Sequence, residues 1–145
     1  MDDLIIAAST KNLITVWEGV FESRFKMKRL HQIKLILGMG VHHDKDRNII
    51  YITQQQYIEK SVKVFSKCGI SEYRTPMDDR AQYSRSQMPK SGSAEALQVA
   101  TYSYREIIGT LLWISNGTRP DIVFPVNTLA KFTSASGLVH WRAAL

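Results

Sequence analysis

The chain has 145 residues, 44% of them apolar and 22% charged, ordinary values for one globular domain with room for a core. Its apolar runs are too short to span a membrane, no basic-then-apolar leader is visible, and one cysteine, Cys68, excludes an internal disulfide. A lone thiol fits a reducing intracellular compartment, cytoplasmic or nuclear, and 19 basic against 13 acidic residues, a formal charge of +6, favour an anionic partner, nucleic acid first.

The pattern predicts an α+β fold. Residues 4–8 are apolar and strand-like. Ser9 or Thr10 can cap a helix running to about Phe25, with Leu13, Val16, Trp17, Val20, Phe21 and Phe25 on one face. The basic residues Arg24, Lys26, Lys28, Arg29, His31 and Lys34 follow closely. Residues 33–42 and 48–53 read as two strands, joined by a polar turn at 43–47 into a hairpin. Thr53 with Gln56 makes a capping box. The helix it opens carries Tyr57, Ile58, Val62, Val64 and Phe65 and ends at Gly69.

Residues 74–98 hold Pro76, Pro89, Gly92 and four serines, and read as a long exposed loop or linker. A helix over 104–115 follows. Pro120 opens another, which Pro125 should kink or delay. A last helix begins near Leu138. Trp17, Trp113 and Trp141 are expected in the core. Arg119 beside Asp121 reads as an ion pair or cap. The four histidines show no metal-ligand spacing with Cys68.

Two segments carry chemistry. Asp2 and Asp3 open the chain beside the apolar run. Adjacent carboxylates on a rigid turn between strands can hold the ions of two-metal phosphoryl transfer, whose geometry tolerates little error. The same dipeptide is also an ordinary hydrated turn, and Asp78-Asp79 repeats it in loop context. Neither Asp44, Asp46 nor Asp121 sits in a strand suited to supply a third carboxylate. The second segment is Lys60, Lys63 and Lys67, at spacings that share one helical face. Such a face either contacts phosphates or is merely solvated.

The order of several short motifs resembles the C-terminal half of the reverse transcriptase of copia-type retrotransposon polyproteins. Met1-Asp2-Asp3-Leu4-Ile5-Ile6-Ala7 is similar to the aromatic-x-Asp-Asp motif and its strand, with the aromatic residue missing. Leu37-Gly38-Met39-Gly40-Val41, Gln54-Gln55-Gln56-Tyr57-Ile58, Thr75-Pro76-Met77-Asp78, Tyr104-Arg105, Gly109, Gly117-Thr118-Arg119-Pro120-Asp121 and His140-Trp141 match the family's further signatures in order. Each is weak alone; together they span nearly the whole chain. Arg29, His31, Gln32 and Pro125 depart from the family pattern.

The resemblance implies an incomplete polymerase palm with a β-hairpin, followed by a helical thumb-like region. Residues 1–53 would be partial palm and primer-grip-like hairpin, 54–73 a thumb-like helix, 74–98 the linker, and 99–145 a truncated helical region like thumb or connection. Asp2 and Asp3 would be catalytic and bind Mg2+. Gly38, Met39 and Gly40, with Lys60, Lys63 and Lys67, would contact template–primer, RNA–DNA or DNA duplex. The implied reaction is RNA-directed DNA synthesis, from which this chain, without fingers and first palm carboxylate, is expected to be inactive alone. A nonenzymatic nucleic-acid-binding remnant and a nonfunctional pseudogene product are the alternatives. An exposed palm edge would favour self-association, and no membrane is implied.

Overall fold

The computed structural model describes every residue except Met1, Asp2, His31, Gln32, Ser71 and Asp79. The chain divides into two compact units, Met1–Thr53 and Gln54–Leu145.

In the first unit, α1 (Lys11–Arg24) has Thr10 at its N-cap position, in extended conformation and without a side-chain cap, and ends at Phe25, matching the apolar periodicity. Arg29 then folds back onto α1 and pairs with Glu18 and Glu22. This takes one cation out of the basic run. It holds the Glu22 carboxyl below its usual range through the Arg29 hydrogen bond. His31 lies outside the described residues.

Three antiparallel strands follow in order: β1 (Leu35–Ile36), β2 (Met39–Asp44) and β3 (Ile49–Thr53). The expected strand over 33–42 is instead broken at Leu37-Gly38. Both residues have positive φ, 48° and 74°. That is the geometry of a tight two-residue hairpin whose twist matches its strands. The hairpin expected over 33–53 is therefore two hairpins. The second turn lies at 45–48, later than expected, because Asp44 stays in β2 and its Oδ1 accepts from the Asp46 and Arg47 amides. Residues 4–8 form no strand: the sheet contains β1, β2 and β3, and an isolated extended segment has no ladder to join.

The second unit is helical. Helix α2 (Gln55–Phe65) has Gln54 at its N-cap, one position later than the expected Thr53, which closes β3. The chain leaves α2 through a 3-10 turn, Ser66–Cys68, and Gly69 takes the left-handed C′ conformation at φ 82°. Residues 74–98 are more ordered than their composition suggests. A 3-10 turn, Arg85–Gln87, is closed by Gln87, whose Oε1 accepts from the Ser84 amide at 2.9 Å and whose backbone amide donates to the Ser84 carbonyl. Helix α3 (Ala94–Ala100) is capped by Ser93 Oγ, which accepts from the Ala96 amide. Tyr83 and Met88 pack on the core. Local serines and prolines signalled turns; they concealed the packing that orders the segment.

Helix α4 (Tyr104–Gly117) extends two residues beyond expectation. Pro120 opens a 3-10 turn, and α5 (Val123–Ala130) starts after it with Pro125 in its first turn, where no intrahelical N–H is needed. Helix α6 (Leu138–Ala144) closes the chain. Phe65, Tyr104, Ile107, Ile108, Leu129, Phe132, Trp141 and Ala144 form the core. Of the three tryptophans only Trp141 is buried, at 6% exposed, stacked on Tyr102. Trp17 at 51% and Trp113 at 40% correct the expectation of core placement. Apolar periodicity places a residue on a face without showing that the face is covered.

Candidate functional site

The carboxylate pair divides. Asp2 lies outside the described residues. Asp3 is exposed, and its Oδ2 accepts from the Leu37 amide at 3.0 Å. In the repeat of the dipeptide, Asp78 Oδ1 accepts from the Arg80 amide at 2.9 Å, an ordinary turn bond, and Asp79 lies outside the described residues. Among the described residues no three His, Cys, Asp or Glu side chains converge. Two Mg2+ ions need several oxygen ligands in near-octahedral order. Asp3 engaged with a turn amide does not make such a set, so the described residues do not fit the ions.

The three central residues of the first hairpin have separable reasons. Gly38 is required by its φ of 74°, since nothing lies within 4 Å of where its Cβ would be. Gly40 faces Thr53 across the ladder, and a methyl there would meet Thr53 Cγ2 at 3.0 Å. Met39 opens β2 opposite Ile36. Packing and turn geometry account for both glycines.

Lys60 and Lys63 lie on α2 and Lys67 on the turn that ends it, all exposed. The inward stripe of α2 is Gln54, Tyr57, Ile58, Ser61 and Phe65, with Phe65 in the core. Helical periodicity puts Lys60 and Lys63 on the opposite side. Val62, expected inward, is exposed. Among the described residues, no ion pair engages the three lysines. Lys60 and Lys63 thus share the outward side of α2, with Lys67 exposed on the turn that follows.

Arg119 meets Asp121 in a bidentate pair, Nε to Oδ1 at 2.9 Å and Nη2 to Oδ2 at 2.8 Å. The Arg119 hydrogen bond holds the Asp121 carboxyl below its usual range. This is the ion pair expected from sequence.

Several motif residues prove to be packing devices. Gln54 is 2% exposed; its Nε2 donates to the Trp113 carbonyl at 3.1 Å and its Oε1 accepts from Thr118 Oγ1 at 2.8 Å. A methyl on Gly117 would come within 2.5 Å of the Gln54 amide. The Gln54 and Gly117-Thr118 motifs are therefore two halves of one joint between α2 and α4. The Tyr104 hydroxyl donates to the Leu129 carbonyl at 2.9 Å, and burial pushes its phenol up. Arg105 Nε donates to the Thr133 carbonyl at 3.1 Å. His140 is fully buried, stacked on Phe132, with Nδ1 accepting from the Gly137 amide at 2.9 Å. Burial lowers its pKa, opposed by Glu95. Glu95 Oε1 accepts from the Leu138 amide at 2.9 Å, supplying the acceptor that Gly137 lacks at the start of α6. Sequence reasoning gave Glu95 no role, because its partner lies 43 residues away. Gly109 has open space about it, and nothing in the packing explains it.

No family model matches the chain, and no solved structure does. Among curated proteins it is 27% identical over 143 residues to the retrovirus-related Pol polyprotein from transposon TNT 1-94 of Nicotiana tabacum, covering 99% of this chain and 11% of that protein. It is 26% identical over 144 residues to the putative transposon Ty5-1 protein of Saccharomyces cerevisiae, covering 99% of this chain and 44% of that protein. Both are named as transposon proteins, the first as a Pol polyprotein. The chain spans less than half the length of either one.

Proposed function

We propose that this retrotransposon-related chain corresponds to a segment of the reverse transcriptase region, and that the segment's own contribution is sequence-independent grip on a nucleic-acid duplex. Two things support the regional assignment: the ordered motifs, and an alignment along 99% of the chain with a protein named as a Pol polyprotein. The observation that carries the grip is the exposure of Lys60 and Lys63 on α2 and Lys67 on the turn that follows, free of ion pairs among the described residues. Ammonium groups on an exposed helix bind phosphates as point charges, which gives affinity without base readout.

The polymerase reaction belongs to this proposal only for a complete palm. The described residues bring no third carboxylate to Asp3, which favours the nonenzymatic binding role for the 145-residue chain by itself. Two assays test the reading. Duplexes of unrelated sequence should compete equally for the chain in a gel-shift experiment; a strong preference for one sequence contradicts backbone grip. Primer extension on a homopolymer template with Mg2+ or Mn2+ should stay at background. Extension that disappears in an Asp2→Asn, Asp3→Asn variant contradicts the inactive assignment.

A further inference from the structure

The Leu37-Gly38 turn poses a physical problem. Two-residue hairpins of this kind need positive φ at both central positions, and Gly38 meets that at no cost. Leu37, at φ 48°, does not. A left-handed L-residue crowds its Cβ against the following carbonyl, and Asn or Asp are favoured there because a short polar side chain bonds locally. Leucine has no such group. Strained residues persist where the surroundings over-determine them. Here the surroundings include one polar contact from far along the chain: Asp3 Oδ2 accepts from the amide of Leu37 itself, at 3.0 Å and 34 residues' separation.

We propose that Asp3 is a positioning residue whose carboxylate holds the Leu37-Gly38 turn in its left-handed geometry and ties residues 3–8 to the hairpin. Asp3 thereby supplies in trans what Asn or Asp at position 37 would supply locally. The role concerns the first unit alone and does not depend on nucleic-acid binding. It also gives the second aspartate of the pair a task that needs an acceptor oxygen rather than a metal.

The hydrogen bond and the charge separate by substitution. Asp3→Asn keeps an acceptor and loses the charge; Asp3→Ala loses both. Leu37→Asn places a residue at home in the left-handed region and should release the turn from Asp3. The experiment uses the full chain, isotopically labelled, with amide exchange read at Leu37 and unfolding followed for each variant. Asp3→Ala should speed Leu37 exchange by about fivefold, the factor of one ordinary hydrogen bond, and Asp3→Asn should stay near wild type. In the Leu37→Asn background, Asp3→Ala should cost measurably less stability than in wild type. Should Asp3→Ala unfold the first unit, its rescue by Leu37→Asn, with Asp3→Asn folded, gives the same answer. An Asp3→Asn chain that behaves like Asp3→Ala, or an unchanged Leu37 amide in Asp3→Ala, overturns the proposal. So does release of the Leu37 amide on adding magnesium chloride to wild type but not to Asp3→Asn, which would return Asp3 to metal binding.

Discussion

Gln54 and Gly117 meet so closely that each dictates the other. Truncating Gln54 to alanine strands the Thr118 hydroxyl and the Trp113 carbonyl beside a small void. Both bonds are partly buried; a fully buried polar group left unpaired costs about 1–3 kcal/mol, so Gln54→Ala should lose stability toward the lower end of that range in denaturant unfolding. Gly117→Ala should cost up to the same amount, because its methyl would push the Gln54 amide off its two hydrogen-bond partners. A near-neutral result for either would remove the joint from the account. His140 adds a pH dependence of definite sign. Its folded pKa is lowered by burial, so the unfolded chain binds the proton more readily. Its contribution is fully present above the ordinary histidine value of about 6.5 and is lost as pH falls below it toward the folded pKa. Wild-type melting temperature should therefore drop on moving into mild acid, and a His140→Gln variant should show a shallower drop over the same interval. At this scale sequence revealed residue types well and partnerships poorly. Arg119 and Asp121, two positions apart, were readable as a pair. Gln54 and Thr118, 64 positions apart, were not.

Among the elements, helices marked by apolar spacing and punctuation were the most legible. Thr10 and Phe25 bound α1, Gly69 ends the α2 region, and Pro120 with Pro125 sets where α5 begins. The strand at residues 4–8 is absent, and the loop expected over 74–98 gives way to α3 from Ala94 onward, while the described residues of 74–93 hold no α-helix or strand. Strand formation depends on a partner that local sequence does not specify. The short α3 owes its existence to Ser93 and to packing of its neighbours rather than to a long apolar stripe. Helix α6 begins at a residue without a side chain, and Glu95 of α3 fills the gap. Glu95→Ala should cost the order of a lost N-cap, about 0.5–2 kcal/mol, with Glu95→Gln recovering part because its amide oxygen still accepts. Urea unfolding of the two variants checks the order; equal stability of Ala and wild type would remove Glu95 as the cap.

For the whole molecule, the two units differ in kind. The second encloses a core of eight packed residues. Among the described residues of the first, none is buried, while Leu13, Val16, Trp17, Val20, Ile50, Tyr51 and Ile52 are exposed. Exposed apolar surface and strand edges promote association. The chain should elute larger than a monomer in size-exclusion chromatography and shift on dilution; a dilution-independent monomer would contradict this. Three of the chain's 19 basic residues, Lys60 and Lys63 on α2 and Lys67 on the turn that ends it, are exposed. Fluorescence anisotropy with an RNA–DNA hybrid at several salt concentrations tests them directly. Each phosphate contact contributes about −0.9 to the slope of log affinity against log salt on B-form duplex, so replacing Lys60, Lys63 and Lys67 together by alanine should flatten the slope by up to about three units. An unchanged slope in the triple variant would contradict the account and leave the three lysines as a solvated surface.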